Sequence, residues 1–144
     1  SNVLEHISYP LPLLKECCRV LKSRGVILGV VPFLAAGHQR PHDYNRYTDF
    51  MLKILLSDSG FQEIEISALG KPADVYQKMQ KTFFRQLFKT KFSQNSLAHY
   101  FKYALVKGAW HLSKLMNLVF KRVFSNGGAT PAYTEGFGFT GIKF

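Results

Sequence analysis

The chain has 144 residues, of which 47% are apolar and 19% charged, so it can bury a real core within one domain and is not a disordered tail. Its two cysteines, Cys17 and Cys18, are neighbours, which excludes a disulfide framework and points to a reducing compartment, the cytoplasm. The net charge of +10 is concentrated in residues 71–124, where eleven Lys and Arg face one acid, Asp74, while residues 1–70 balance at seven of each sign. So basic a segment points to a separate role, such as facing an anionic partner, with a solvated basic face over a helical core as the bland reading. The N-terminus shows no signal-peptide pattern, and no apolar run reaches the ~18 residues of a membrane span.

In chain order, Ser1 to Ile7 reads as the exit of a buried strand into a loop. Residues 10–22 predict a helix: Leu11, Leu14, Cys18 and Leu21 form one stripe, Pro10 and Pro12 suit the first turn, and Gly25 supplies a left-handed exit. Cys18 is read as core packing. Val26 to Val31, closed by Pro32, reads as a strand covered on both faces. A polar loop over 34–47 follows. Thr48 then caps a helix, with Asp49 in its first turn, and Met51, Leu52, Leu55 and Leu56 on its buried side. Gly60 ends that helix, and Phe61, Ile64 and Ile66 start a strand. This alternation predicts a doubly wound parallel sheet.

Residues 71–124 break the rhythm. Tyr76, Met79, Phe83 and Leu87 form one helical stripe, and Lys78, Lys81, Arg85 and Lys89 form the opposite one. A polar break over 93–96 leads to a second helical stretch running to about 124. Leu97, Phe101, Ala104, Leu112, Leu115 and Val119 stay close to one face of it, with Gly108 as a dividing point. After a loop around 126–131, Gly136 to Ile142 reads as a last strand, with Phe137 and Phe139 on one face and Gly141 as a bulge.

The ordered series Asn2-Val3-Leu4-Glu5-His6-Ile7, Leu14-Lys15-Glu16, Arg19-Val20-Leu21-Lys22, Pro32-Phe33, His42-Asp43-Tyr44-Asn45-Arg46-Tyr47-Thr48 and Ser59-Gly60-Phe61 resembles class I S-adenosylmethionine-dependent methyltransferases of the type-11 group. The likeness covers residues 1–70 well, 133–143 weakly, and 71–124 not at all. It departs at Ser23-Arg24-Gly25, where the family usually has Pro-Gly-Gly. The resemblance implies a partial Rossmann-like α/β sheet. Residue 1 would stand at the end of the fourth strand, 26–32 would be the fifth, 61–67 the sixth, and 136–143 an antiparallel seventh slotted between those two. The N-terminal half that grips most of the cofactor would precede residue 1. The expected organisation is one partial domain over 1–144: an α/β core at 1–70, a basic helical insertion or lid at 71–124, and a loop with the last strand at 125–144.

The resemblance also assigns sites. Ser1, Asn2, Val3 and His6 would border S-adenosylmethionine. His38 and His42 are the candidate bases, histidine being suited to take a proton near neutral pH. Asp43, Arg46 and Tyr47 fall on the substrate side, Arg46 as an anion clamp. The bland reading has Asp43 and Arg46 tying the loop together, and Glu5 and His6 facing solvent. His38, His42 and Asp43 offer metal-ligand types, yet the group does not generally need a metal, and none is expected. The expected activity is methyl transfer to an O, N or C acceptor on a small or lipid-linked substrate, with little activity from these 144 residues alone. The expected location is cytoplasmic, with peripheral contact to an anionic membrane through 71–124. The alternative is a non-catalytic basic module that binds a membrane surface or nucleic acid.

Overall fold

Among the described residues, capping residues, prolines and glycines mark out one short turn, four helices and three strands. The computed structural model describes residues 3–89, 97–124, 128 and 130–144. The readings of Ser1, Asn2, the break at 93–96 and the loop at 126–127 lie outside the described residues, as do the side chains of Lys89 and Leu97. Two compact units emerge, one from residues 1–72 with 129–144, the other from residues 73–128.

The first unit begins with a 3-10 turn, Leu4–His6, followed by helix α1 over Pro10–Val20. The helix stops two residues before the predicted end. Its exit is left-handed at Arg24, with φ of 60°, and not at Gly25. Gly25 is demanded by space instead, since a Cβ there would lie 2.8 Å from the Lys22 carbonyl oxygen. Strand β1 spans Val26–Pro32 and helix α2 spans Asp49–Asp58. Thr48 caps α2 as expected, its Oγ1 accepting from the Met51 N–H at 3.2 Å. Gly60, with φ of +94°, turns the chain into strand β2 over Phe61–Leu69.

The last strand, β3, spans Gly136–Lys143 and lies between the other two, in the order β1-β3-β2. It runs antiparallel to both, pairing Val26 with Ile142 on one side and Phe61 with Lys143 on the other. The slotted antiparallel strand is thus present. Every pairing among the described residues is antiparallel, however, because β3 separates β1 from β2, which run parallel to each other. The bulge is not at Gly141 but opposite it, between Gln62 and Glu65 of β2, where Glu63 takes φ of 45°. Gly141 serves close approach, since a Cβ would stand 3.1 Å from that of Phe61.

Leu14, Cys18, Leu52, Leu55 and Leu56 pack from the two helices onto Val31, Phe61, Phe137 and Phe139 of the sheet. Gly29 leaves room for the Phe139 ring to cross β1. Both helices therefore cover one face. On the other face Val26 and Val30 are exposed and Leu28 is 76% exposed, so β1 is not covered on both sides as its apolar run implied. Met51 is likewise exposed.

The second unit is a helical hairpin of α3, Pro72–Lys89, and α4, Leu97–Phe124, which runs unbroken through Gly108. Tyr76 stacks on Phe120, Phe84 meets Trp110 edge-on, and Phe88 meets Tyr103, so the helices run antiparallel. Asn117 donates to Gln80 in the same interface. The apolar stripes read along the two helices are for the most part not the faces that meet. Met79 and Phe83 of α3, and Phe101, Ala104, Leu112, Leu115 and Val119 of α4, are exposed. Val75, Phe84 and Ser113 are buried instead. Apolar residues occur all round α4, so its periodicity selects no single face. No helix among the described residues is long and apolar enough to cross a membrane.

Candidate functional site

The carboxyl end of β1 opens into the loop over 33–47, and the turn Leu4–His6 lies against it. Backbone bonds join the two segments. The N–H groups of Tyr44 and Asn45 both donate to the Glu5 carbonyl oxygen, at 2.9 and 3.2 Å. Asn45 Nδ2 donates to the Ile7 carbonyl at 2.7 Å, and the Tyr47 hydroxyl donates to that of Leu4 at 3.0 Å. Tyr47 is buried. Burial first, and the nearby Glu5 charge second, push its phenol up to about 12. Its hydroxyl is thus a structural donor that stays protonated.

Asp43 and Arg46 form a bidentate pair, with Nη1–Oδ1 at 2.6 Å and Nη2–Oδ2 at 2.9 Å. Arg46 also donates to the Asn45 carbonyl, and the His38 backbone N–H donates to Asp43 Oδ2 at 2.8 Å. Arg46, then the His38 N–H, hold the Asp43 carboxyl well below the usual carboxylate range. The Arg46 guanidinium is pushed up by the same partner. In this arrangement Asp43, Arg46 and Tyr47 close the loop. The peptide bond between Arg40 and Pro41 inside it is cis.

The two candidate bases part company. His42 is exposed, and its Nδ1 lies 2.9 Å from the Tyr44 hydroxyl. His38 turns inward, its ring edge-on to that of His6 with centroids 5.0 Å apart. Between those rings lies Glu5, which is 0% exposed. Among the described residues neither Glu5 carboxylate oxygen has a hydrogen-bond partner. Its Oε1 stands 3.5 Å from His6 Nε2 and 3.7 Å from His38 Nε2.

Sequence reasoning left Glu5 facing solvent. The structure buries it, because the loop carrying His38, more than thirty residues away, folds over the turn. The available signal was a charged residue enclosed by Leu4 and Ile7 in an apolar exit. His38, His42 and Asp43 do not converge as a ligand set. Among the described residues the group that does converge is Glu5, His6 and His38.

Of the cofactor-side residues, Val3 is exposed, and His6 is engaged by the His42 carbonyl through Nδ1. Val3 and His6 by themselves do not enclose a ligand the size of S-adenosylmethionine.

No family model and no curated protein matches the chain. Among solved structures it is similar to phosphoethanolamine N-methyltransferase 2 of Haemonchus contortus. The form in complex with phosphomonomethylethanolamine and S-adenosylhomocysteine aligns at 18% identity with a TM-score of 0.48. The form with S-adenosyl-L-methionine aligns at 17% identity with a TM-score of 0.47. The alignments cover 99% of this chain, but only 32% and 31% of those chains, so it spans about a third of their length.

Proposed function

We propose that the chain is the acceptor-side portion of a S-adenosylmethionine-dependent methyltransferase of the type-11 group, acting on an O, N or C nucleophile of a small or lipid-linked substrate. The observation that carries this reading is the strand order β1-β3-β2, with β3 antiparallel to both neighbours. It is the slot that the ordered motifs imply for the seventh strand, and the loop bearing His42-Asp43-Tyr44-Asn45-Arg46-Tyr47-Thr48 opens from the carboxyl end of β1, where open α/β sheets bind ligands.

A sulfonium methyl donor is already activated, so catalysis asks chiefly for alignment of donor and acceptor. The chain's share is then to position the acceptor with the loop and to accept its proton. His42, exposed on that loop, is the candidate base, while His38 is directed toward Glu5. Ser1, Asn2, Val3 and His6 would border the donor, whose main cradle belongs to elements outside these residues.

The test compares the 144-residue chain with the product of its complete reading frame. Calorimetry with S-adenosylhomocysteine and transfer of a radiolabelled methyl group to a panel of small acceptors are the two readouts. The complete product should bind and turn over, and the chain alone should do neither. If the complete product fails to bind S-adenosylhomocysteine, the reading fails.

A second reading is favoured by one feature of the helical hairpin. Lys81 and Arg85 border a groove floored by Phe84, Phe88 and Trp110, and Lys114 lies over the Trp110 ring. Cations around an aromatic floor suit the interface of an anionic membrane. Such contact would serve an enzyme with a lipid-linked substrate or a non-catalytic module. Sedimentation with anionic and neutral vesicles at low salt tests it: pelleting with the anionic vesicles alone supports the contact, and no pelleting removes it. Pelleting abolished by competing RNA would move the basic surface to nucleic acid.

A further inference from the structure

We propose that Glu5, His6 and His38 bind one divalent transition-metal cation of the zinc class. This site shares His6 with the donor side of the methyl-transfer reading but does not rest on that reading. The Glu5 carboxylate is 0% exposed, and among the described residues neither of its oxygens has a hydrogen-bond donor. A carboxylate buried in that way is costly unless a cation compensates it.

The groups closest to it are the Nε2 atoms of two imidazoles, with the Arg46 guanidinium, already paired with Asp43, and the Tyr47 phenol near enough to feel its charge; the opposite side of each ring sets the imidazoles' character. His6 Nδ1 contacts the His42 carbonyl oxygen. His38 Nδ1 lies 3.2 Å from the Ala36 carbonyl oxygen and 3.8 Å from Asp43 Oδ2. Among the described residues both Nδ1 atoms thus lie against acceptors, which favours the tautomer with the ring proton on Nδ1. In that tautomer both Nε2 atoms present lone pairs. Two imidazole lone pairs and a carboxylate then converge, an arrangement that repels itself unless protons or a metal cation stand among them. A single proton bridges one of the two contacts, whereas a metal ion satisfies all three groups.

The geometry fits. Donor atoms bound at ~2.0–2.1 Å to one tetrahedral ion stand about 3.3–3.4 Å apart. Glu5 Oε1 is 3.5 Å from one Nε2 and 3.7 Å from the other, and one ligand atom from each of the three residues lies within 4.8 Å of the rest. The carbonyls that hold the Nδ1 protons are the outer partners that metal-bound histidines generally have. Imidazole ligands select zinc, cobalt or ferrous iron over magnesium and calcium, which prefer oxygen. His38, with its side chain 37% exposed, provides the route in from solvent. Three protein ligands leave a fourth position open to water.

Cobalt(II) is the direct probe, because a four-coordinate N/O site gives intense visible d–d bands. The 144-residue chain should take up one equivalent, be displaced by zinc, and be unaffected by excess magnesium. His38→Gln, at a half-exposed loop position, should weaken binding by about 100-fold or more, beyond the 10–100-fold that outer-partner changes cost. Glu5→Gln should do the same. His42→Ala keeps the carbonyl that holds His6 and should bind like the parent chain. Circular dichroism of each variant separates loss of the site from loss of the fold. Three outcomes overturn the proposal: no cobalt bands in the parent chain, unchanged binding in a folded His38→Gln variant, or a thiolate-to-cobalt charge-transfer band that moves the metal to Cys17.

Discussion

The α/β unit and the helical hairpin dispose of their apolar residues in opposite ways. In the first, two helices and three strands enclose a shared cluster from Leu4 to Phe139, and the stripes read along α1 and α2 are largely the ones buried. In the second, two helices meet along a single seam of aromatic pairs, and most of α4's Leu, Val and Phe side chains remain exposed. Two layers can bury a whole face of each element, whereas two helices bury only the narrow strip where they touch. Apolar content alone therefore does not make a core.

The largest test of this contrast deletes the same atoms in both units. Leu56 is 0% exposed within the sheet-helix core, and Leu115 is 60% exposed on α4. Leu56→Ala should cost about 2–5 kcal/mol through lost burial and the cavity left behind. Leu115→Ala should change stability by no more than about 0.5 kcal/mol, as surface substitutions do. Urea unfolding followed by circular dichroism measures both. A loss of equal size at Leu115 would mean that the hairpin's outer face is covered in solution.

Why the α/β unit was legible, and the hairpin less so, follows from those same residues. Leu11, Leu14, Cys18 and Leu21 alternate with charges, so their spacing admits one buried face. Leu105, Leu112, Leu115, Leu118 and Val119 surround α4, and the choice of face falls to partners such as Trp110 with Phe84 and Asn117 with Gln80. The antiparallel slot of β3 came from the ordered motifs, since nothing local in Gly136 to Lys143 specifies its neighbours. The bulge at Glu63 was hidden because Glu carries no mark of positive φ. Glu5 was hidden for a different reason. Its burial depends on a loop over thirty residues away, and local patterning does not register that closure.

The next effect comes from a close approach inside the well-packed unit. A Cβ on Gly136 would stand 2.3 Å from the Val31 carbonyl oxygen, which is held in the ladder between β1 and β3. Gly136→Ala should therefore push the strands apart and cost about 1–3 kcal/mol, as overpacking does. Gly108, with nothing within 4 Å of its Cβ position in mid-α4, is the hairpin's counterpart. Gly108→Ala should stabilise its helix by up to about 1 kcal/mol. Opposite signs for one substitution type would sharpen the contrast, and a destabilising Gly108→Ala would break it. Smaller again is the cap of α2: Thr48→Ala removes the acceptor for the Met51 N–H and should cost about 1 kcal/mol in the same urea assay.

The smallest effect concerns two ion pairs of nearly identical geometry within the α/β unit. Arg19 holds Glu16 with contacts of 2.6 and 2.8 Å, and Arg46 holds Asp43 with contacts of 2.6 and 2.9 Å, each three residues apart. Their surroundings differ. The Arg19 and Glu16 side chains are 70% and 57% exposed, whereas those of Arg46 and Asp43 are 25% and 7% exposed. Water and salt screen the first pair, and its side chains lose freedom to make it. The hydrogen bond from Arg19 lowers the Glu16 carboxyl below its ordinary value. A lowered folded pKa supplies stability that is complete above the unfolded value and lost as pH falls through the folded one. Glu16→Gln should therefore leave the urea midpoint unchanged at neutral pH and moderate salt, and should remove only a slight acid-side dependence at low salt. Asp43→Asn should lower the midpoint under both conditions, because it leaves Arg46 half-enclosed without its carboxylate and leaves a single amide oxygen to serve both Arg46 and the His38 N–H. Equal responses of the two variants would mean that the loop is open in solution, and that the turn carrying Glu5 is not sealed by it.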